Sequence, residues 1–255
     1  PMQSLRAAIK NAGLDGWYVG REDMFQGEEV PTSEERLAFI SGFTGSAGYG
    51  VILDDAAALF SDGRYTLQMA NQSDPAVWST HTLPEASLAS WLTEAGADGK
   101  RIGVDPSLVT VAGYKRLEKA CHQAGATLLA QSENPIDVVW GTGRPQRGAA
   151  RPFRMPDRVA GQTMAEKLTV LDKKLADSGA DAVVISRVDA VNWLVNIRGN
   201  DLANTPVNLV FALYHRDSGL LILGDVASLA PVMEGDLANL SLIHISEPTR
   251  LRSIS

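Results

Sequence analysis

One cysteine, four histidines and no long apolar run are what the 255-residue chain offers least of. Cys121 stands alone, so no intramolecular disulfide framework exists and the sequence fits a reducing compartment. It falls in a helix-like segment, where a small buried apolar side chain is a simpler reading than a nucleophile. No apolar stretch reaches the length that crosses a bilayer, and the opening PMQSLRAAIKNAG has no apolar core of signal type. These absences lead to the expectation of a cytoplasmic protein. Positive charge is not in excess: 23 Lys and Arg against 30 Asp and Glu leave a formal net charge of −7. A surface of that sign argues against nucleic acid and anionic membrane as partners. Hydrophobic residues at 45% and charged residues at 21% still suffice for a globular core, and the length suits two domains.

Familiar chemical motifs are missing too. The stretch TGSAGYG lacks the lysine of a P-loop and the order of a dinucleotide fingerprint, and a predicted helix precedes it where a strand is required. A G-x-S-x-G elbow fails because Thr44 stands two residues before Ser46. His81, His122, His215 and His244 are scattered without H-x-x-x-H spacing, so no metal site emerges. Asp54, Asp55, Asp181 and Asp189 read as turn and cap residues in solvent.

What the chain does have is concentrated in residues 36–72, RLAFISGFTGSAGYGVILDDAAALFSDGRYTLQMANQ. Gly42, Gly45, Gly48 and Gly50 punctuate its first third, as expected where φ is positive or two backbones pass closely. Apolar runs at 51–53 and 57–60 flank an Asp54-Asp55 turn and predict a hairpin. A second turn at Asp62-Gly63 delivers Arg64 to the head of a helix expected over 64–71. A guanidinium there opposes the helix dipole by about 0.3–1 kcal/mol. It can also grip a carboxylate or carbonyl through two parallel hydrogen bonds, which suits a substrate anchor. The plain alternative is a surface arginine paired with Asp62, and the residues alone favour that alternative.

Around this stretch the pattern is α/β. Helices are expected at 4–12, capped by Ser4 and stopped by Gly13, at 32–40 with a Thr32/Glu35 capping box, after Pro84, and at 110–124. Strands are expected at 15–19, 77–83, 101–104 and 127–130. Residues 141–157, GTGRPQRGAARPFRMPD, carry glycine, proline and four arginines without apolar periodicity and read as a solvated connector. Beyond it the order begins again. Thr163 and Glu166 form a capping box, Met164, Leu168, Leu171 and Leu175 make a helical stripe ending at Gly179, and 181–185 is a strand. A second helix, a polar corner (NIRGNDLANTPV) and a hairpin over 207–223 follow, as in the first half. Two copies of one α/β unit are expected. The segment LSLIHISEPTR resembles the translation of a transposase adapter from sequencing libraries, so residues 240–255 are set aside from the fold.

An ordered set of these residues resembles the N-terminal part of the Xaa-Pro aminopeptidase (aminopeptidase P) family, in its long three-domain cytosolic form, within the creatinase/prolidase superfamily. Its carriers are Arg36 to Gly48, Ser61-Asp62-Gly63-Arg64-Tyr65 with Leu67-Gln68, RIGVDP at 101–106, Glu133-Asn134, Ile136-Asp137, Trp140 and Arg144-Pro145. Asp189 to Gly199, Asp201 and Asn204 to Val207 continue it, so the resemblance spans residues 3–228. It implies two related N-terminal α/β domains, each a mixed sheet flanked by helices, ahead of a pita-bread catalytic domain that is absent here. That third domain would hold two divalent ions, typically manganese, and remove the residue preceding a proline in second position. No ligand of those ions maps onto this chain, so no catalytic residue, metal ligand or bound cofactor is assigned to it. One residue does carry over: the arginine of the D-G-R-Y motif, which reaches the peptide substrate, matches Arg64. Trp193 to Gly199 is taken as structural, with Trp193 in the core.

The expectation is therefore domain I over 1–140, a connector over 141–160, domain II over 161–239 and adapter sequence over 240–255. The function implied is that of the non-catalytic N-terminal portion of a metal-dependent Xaa-Pro aminopeptidase. Its partners would be the peptide and, in the full-length protein, a second copy. Two alternatives stay open: a stand-alone binding or dimerisation module, and the N-terminal part of a prolidase or creatinase.

Overall fold

A computed structural model describes residues 1–146, 152–229, 232 and 241–244. The chain divides into two units, Pro1–Gln146 and Arg147–Ser255. In the first, the elements run α1 (Met2–Asn11), β1 (Gly16–Gly20), α2 (Arg36–Ser41), β2 (Tyr49–Leu53), β3 (Ala57–Asp62) and α3 (Thr66–Gln72). They continue as β4 (Ser79–Leu83), α4 (Leu88–Glu94), β5 (Arg101–Val104), α5 (Val111–Gln123), β6 (Thr127–Ala130) and α6 (Pro135–Trp140). One six-stranded mixed sheet results, in the order β4-β3-β2-β1-β5-β6. Its centre is antiparallel, β1 on β2 and β2 on β3, and parallel pairings extend it at both edges.

Alternation along β3 explains the layers. Ala57 and Leu59 point to a cluster with Leu5, Ile9, Trp17, Leu37, Ile40 and Met69, supplied by α1, β1, α2 and α3. Ala58 and Phe60 point the other way, to Trp91, Leu92, Leu117 and Cys121 from α4 and α5. Successive strand residues face opposite sides, so a strand covered on both sides reads as an unbroken apolar run. That is the origin of the runs at 51–53 and 57–60. Cys121 is buried in this core, and burial pushes its thiol up to about 11, so it behaves as an apolar side chain.

Several local expectations shift. The first helix begins at Met2, two residues before Ser4, which lies inside it and caps nothing. The Thr32/Glu35 capping box does not form: a 3-10 turn occupies Thr32–Glu34, and Glu35 precedes α2 without a side-chain cap. Pro84 does not open the next helix, which starts at Leu88 under a Ser87 cap. The strand expected from 77 begins at Ser79, because Val77 and Trp78 donate backbone hydrogen bonds to Asp74.

The neighbouring carboxylate, Glu34, belongs instead to a buried charge cluster. Arg36, only 6% exposed, places Nε and Nη2 on the two oxygens of Asp137 at 2.7 and 2.8 Å and Nη1 on Glu34 at 2.6 Å. Arg144 closes the square, with Nη2 on Glu34 at 2.9 Å, Nη1 on Asp137 at 3.0 Å and Nε on the Ser33 carbonyl at 2.6 Å. Burial disfavours the Arg36 charge, but the Asp137 hydrogen bonds and the two carboxylates outweigh it and hold the guanidinium charged. Arg144 is thus a strut of the first unit and not a solvated connector residue. A 3-10 turn at Gly141–Gly143 folds the chain back to bring it there.

The second unit contains β7 (Phe153–Arg154), α7 (Asp157–Ala160), α8 (Met164–Ser178), β8 (Ala182–Ile185) and α9 (Val188–Leu194). Then come β9 (Ile197–Arg198), β10 (Phe211–His215), β11 (Gly219–Gly224), α10 (Val226–Leu229) and β12 (Ser241–His244). The capping box at α8 forms as expected, Thr163 Oγ1 taking the Glu166 N–H and Glu166 returning a carboxylate to the Thr163 N–H. A four-stranded sheet runs β12-β11-β10-β8, with β7 and β9 forming a separate pair. β8 to β10 and β10 to β11 are antiparallel and β11 to β12 is parallel, which repeats the pairing of β1, β2, β3 and β4. The second half repeats the order of β1, β2 and β3, as the repeated sequence pattern implied, without counterparts of β5 and β6 among the described residues. Ser241–His244 lies in the stretch attributed to adapter sequence and supplies the β12 edge, while 245–255 fall outside the described residues.

Breaking the buried square by Asp137→Ala leaves Arg36 without its bidentate partner. The expected loss is about 3 kcal/mol, the low end for stranding a buried charge. Urea unfolding of the chain measures it, and an unchanged midpoint would show that the square carries no stability.

Candidate functional site

The turn that carries Arg64 is built by the end of β3. Asp62 Oδ1 accepts the backbone N–H of Arg64 at 3.0 Å, and the Asp62 carbonyl accepts the N–H of Tyr65 at 3.0 Å. A short polar side chain that bonds its own backbone two residues on is the usual device for such a turn. Helix α3 starts only at Thr66, with Tyr65 at its N-cap, so Arg64 stands ahead of the helix instead of at its first position. The dipole penalty expected from the sequence falls away accordingly.

The guanidinium is forked onto the same aspartate. Nε meets Oδ1 at 2.9 Å and Nη2 meets Oδ2 at 2.8 Å, while the Arg64 side chain remains 67% exposed. Its Cζ lies 5.1 Å from the centre of the Tyr65 ring. The pairing with Asp62 is the one the residues alone favoured. A side-on fork engages Nε and one Nη2 hydrogen, so the Nη1 edge has no partner among the described residues.

Tyr65 is itself anchored. Its hydroxyl lies 2.6 Å from Ser46 Oγ, and its ring meets Phe43 edge-on at 5.8 Å. The Ser46 hydrogen bond lowers the Tyr65 hydroxyl from its ordinary range. Gly45 makes this contact possible, because a Cβ there would come within 2.2 Å of the Phe43 ring and 2.9 Å of Tyr65. Gly42 has φ 79, and a Cβ on it would sit 2.6 Å from the Gln72 carbonyl at the end of α3. Gln72 also accepts the Thr44 N–H at 2.9 Å and donates to Thr44 Oγ1 at 3.0 Å. Ser61 Oγ donates to the Ala47 carbonyl at 2.5 Å. The glycine corner, the end of β3 and the start of α3 are therefore one knot. The sequence showed the corner and the arginine; it gave no sign that Ser46 and Tyr65 join them. The D-G-R spacing was the available signal for the Asp62 turn.

Other candidates resolve into structure. Asn192 and Asn208, both buried, exchange side-chain and backbone hydrogen bonds at 2.8–3.0 Å and tie α9 to the approach of β10. Trp193 is not in the core: it is 50% exposed, because α9 turns Val191, Asn192 and Leu194 inward. Lys167 Nζ sits 4.2 Å from the centre of its ring and donates to the Trp193 carbonyl at 2.6 Å. Asp189 forks with Arg187 at 2.9 and 3.1 Å. Among the described residues no three His, Cys, Asp or Glu side chains converge on a point where they would hold a metal ion. None of their helices is long and apolar enough to cross a membrane.

Two related α/β units, the first carrying an arginine on a knotted turn, define a paired-domain architecture. The Creatinase/Prolidase N-terminal domain is matched twice, over residues 1–139 and 143–246, and the chain belongs to that family. The protein of Neurospora crassa described as a probable Xaa-Pro aminopeptidase P is 38% identical over 223 residues, covering 86% of this chain and 33% of that protein. Its Chaetomium globosum counterpart of the same description is 39% identical over 234 residues, covering 89% of this chain and 37% of that protein. The chain thus spans about a third of the length of the curated relatives it matches. Among solved structures, the X-prolyl aminopeptidase of Caenorhabditis elegans, described as a cytosolic enzyme with a di-nuclear active site, superposes with a TM-score of 0.81 at 26% identity. That match covers 94% of this chain and 41% of the other.

The Asp62 fork gives a pH signature. The hydrogen bonds from Arg64 hold the Asp62 carboxyl below its usual 3.8. A depressed carboxylate keeps its partner above its ordinary range and loses it as pH falls through the lowered value. Side-chain carbon NMR of Asp62 should give a midpoint below 3.8 that rises on Arg64→Ala. A midpoint unmoved by that substitution would show that the fork does not persist in solution.

Proposed function

We propose that this chain is the N-terminal, non-catalytic portion of a metal-dependent Xaa-Pro aminopeptidase, which removes the N-terminal residue from peptides with proline in second position. The observation that carries the reading is the 38% identity running over 86% of this chain while spanning only 33% of the relative. The likeness to the nematode enzyme with its di-nuclear site, at a TM-score of 0.81, supports it. In this reading two divalent ions, manganese in kind, are held by a catalytic domain outside the 255 residues, and supply Lewis acidity and an activated water. The described residues do not gather a donor set of that kind, so no step of the chemistry is assigned to them.

What this chain contributes is positioning. Arg64, exposed at the end of β3, contacts the peptide; a charged, planar donor pair fixes an oxygen acceptor in direction as well as distance. The peptide is the small partner, a second copy the large one, and the cytoplasm the compartment. The shared strand order of the two units fits this division of labour, since both are built to present corners and neither described half carries a metal cluster.

Two measurements test this. The purified 255-residue polypeptide supplied with manganese should not cleave an Xaa-Pro peptide, and measurable turnover would overturn the division of labour. In a full-length enzyme carrying this sequence, Arg64→Ala should lower kcat/KM about tenfold, the weight of one charge-assisted hydrogen bond, with metal content unchanged. An unaltered kcat/KM would remove Arg64 from the substrate site.

A further inference from the structure

The Asp62–Arg64 pair differs from an ordinary surface ion pair in how many atoms fix it. Exposed pairs contribute little because both long side chains must be ordered to meet. Here the acid is short and its Oδ1 already accepts the Arg64 backbone N–H at 3.0 Å, so the carboxylate is set by the turn before the guanidinium arrives. The two side-chain hydrogen bonds, at 2.9 and 2.8 Å, then orient the guanidinium plane. Tyr65, 5.1 Å from Cζ, backs it, and Tyr65 is held by Ser46 at 2.6 Å. The same fork recurs at Arg187 and Asp189, with bonds of 3.1 and 2.9 Å, but with the arginine 80% exposed and no ring against it among the described residues.

We propose that Asp62 is a positioning residue for Arg64: it holds the Nε and Nη2 side of the guanidinium so that the Nη1 edge is offered, already oriented, to an oxygen acceptor of the peptide. This rests on the reading of Arg64 as a substrate contact. Two consequences follow from the geometry. Asp62 touches no substrate; it removes the rotamer freedom that an unheld arginine would lose on binding. Its charge and second oxygen, and not its turn-forming oxygen, are what matter, because an amide at the same place would still accept the backbone N–H while losing the charge and the Nη2 bond that makes the fork.

Asp62→Asn is therefore the informative substitution, since it keeps the turn and reduces the charged two-point fork to at most one neutral bond at Nε. Nitrogen relaxation of the arginine Nε–H groups in the 255-residue chain should show Arg64 ordered, and mobile after Asp62→Asn, with Arg187 unchanged as the internal reference. Equal mobility of Arg64 Nε in the two proteins overturns the positioning. In a full-length enzyme, Asp62→Asn should lower kcat/KM about threefold, the ordering cost of one long side chain, and Asp62→Glu should restore part of it. The effect of Asp62→Asn should vanish when Arg64 is already alanine, as a double-mutant cycle requires of one unit. Loss of activity from Arg64→Ala with none from Asp62→Asn refutes the positioning while leaving Arg64 in the site. No loss from Arg64→Ala, with the relaxation change intact, refutes the substrate contact alone. An Asp62→Asn loss that persists without Arg64 shows a structural role and refutes the proposal.

Discussion

The close approach of two backbones at the glycine corner governs the rest of the first unit. Gly42 brings the end of α2 against the last carbonyl of α3, and Gly45 lets the Phe43 and Tyr65 rings share the space a Cβ would fill. With that corner closed, β2 and β3 leave it in register, and β3 runs out at Asp62 beside the same knot. The turn that carries Arg64 is thus a by-product of packing. An exposed arginine two residues past a strand end has many rotamers open to it, and the fork with Asp62 selects one of them.

The second unit shows how much of that arrangement belongs to the strand order alone. It repeats the pairing of three consecutive strands, yet its β8 is an edge strand with Val184 69% exposed, where the equivalent β1 is paired on both sides. Its β10 and β11 alternate buried and part-buried residues, the pattern of a sheet covered chiefly on one face, in contrast to the continuous burial of β3. Where the first unit fixes its corner with glycines and aromatics, the second uses buried amides, Asn192 with Asn208 and Asn196 with Lys167. One order of elements is compatible with two different ways of locking a corner.

Element type and order could be read from residue patterns because they rest on local signals: apolar runs, the Thr163 cap, glycines after helices. The boundaries that moved did so where a side chain found a distant partner. Glu34, beside the expected Thr32/Glu35 box, is taken by Arg36 and Arg144, the latter lying 110 positions further along the chain, and no local pattern announces that. The helix α6 escaped notice for a related reason: at six residues it has too few turns for periodicity, and its Asn134 cap and Pro135 start look like loop residues. Trp193 was misplaced because aromatic character suggests a core, whereas the helix phase set by Val191 and Leu194 turns it outward.

Arg64 shows where residue chemistry and geometry part company. Its pairing with Asp62 was foreseeable from two residues at short range, and it is present. Taken alone, that pairing would count against a functional role, since a guanidinium already bound has less to offer. The geometry limits that inference: a side-on fork engages one edge of a planar donor and leaves Nη1 without a hydrogen-bond partner among the described residues, on a side chain still 67% exposed. A satisfied arginine and an available one are the same residue here, because the fork that satisfies it also fixes which edge remains.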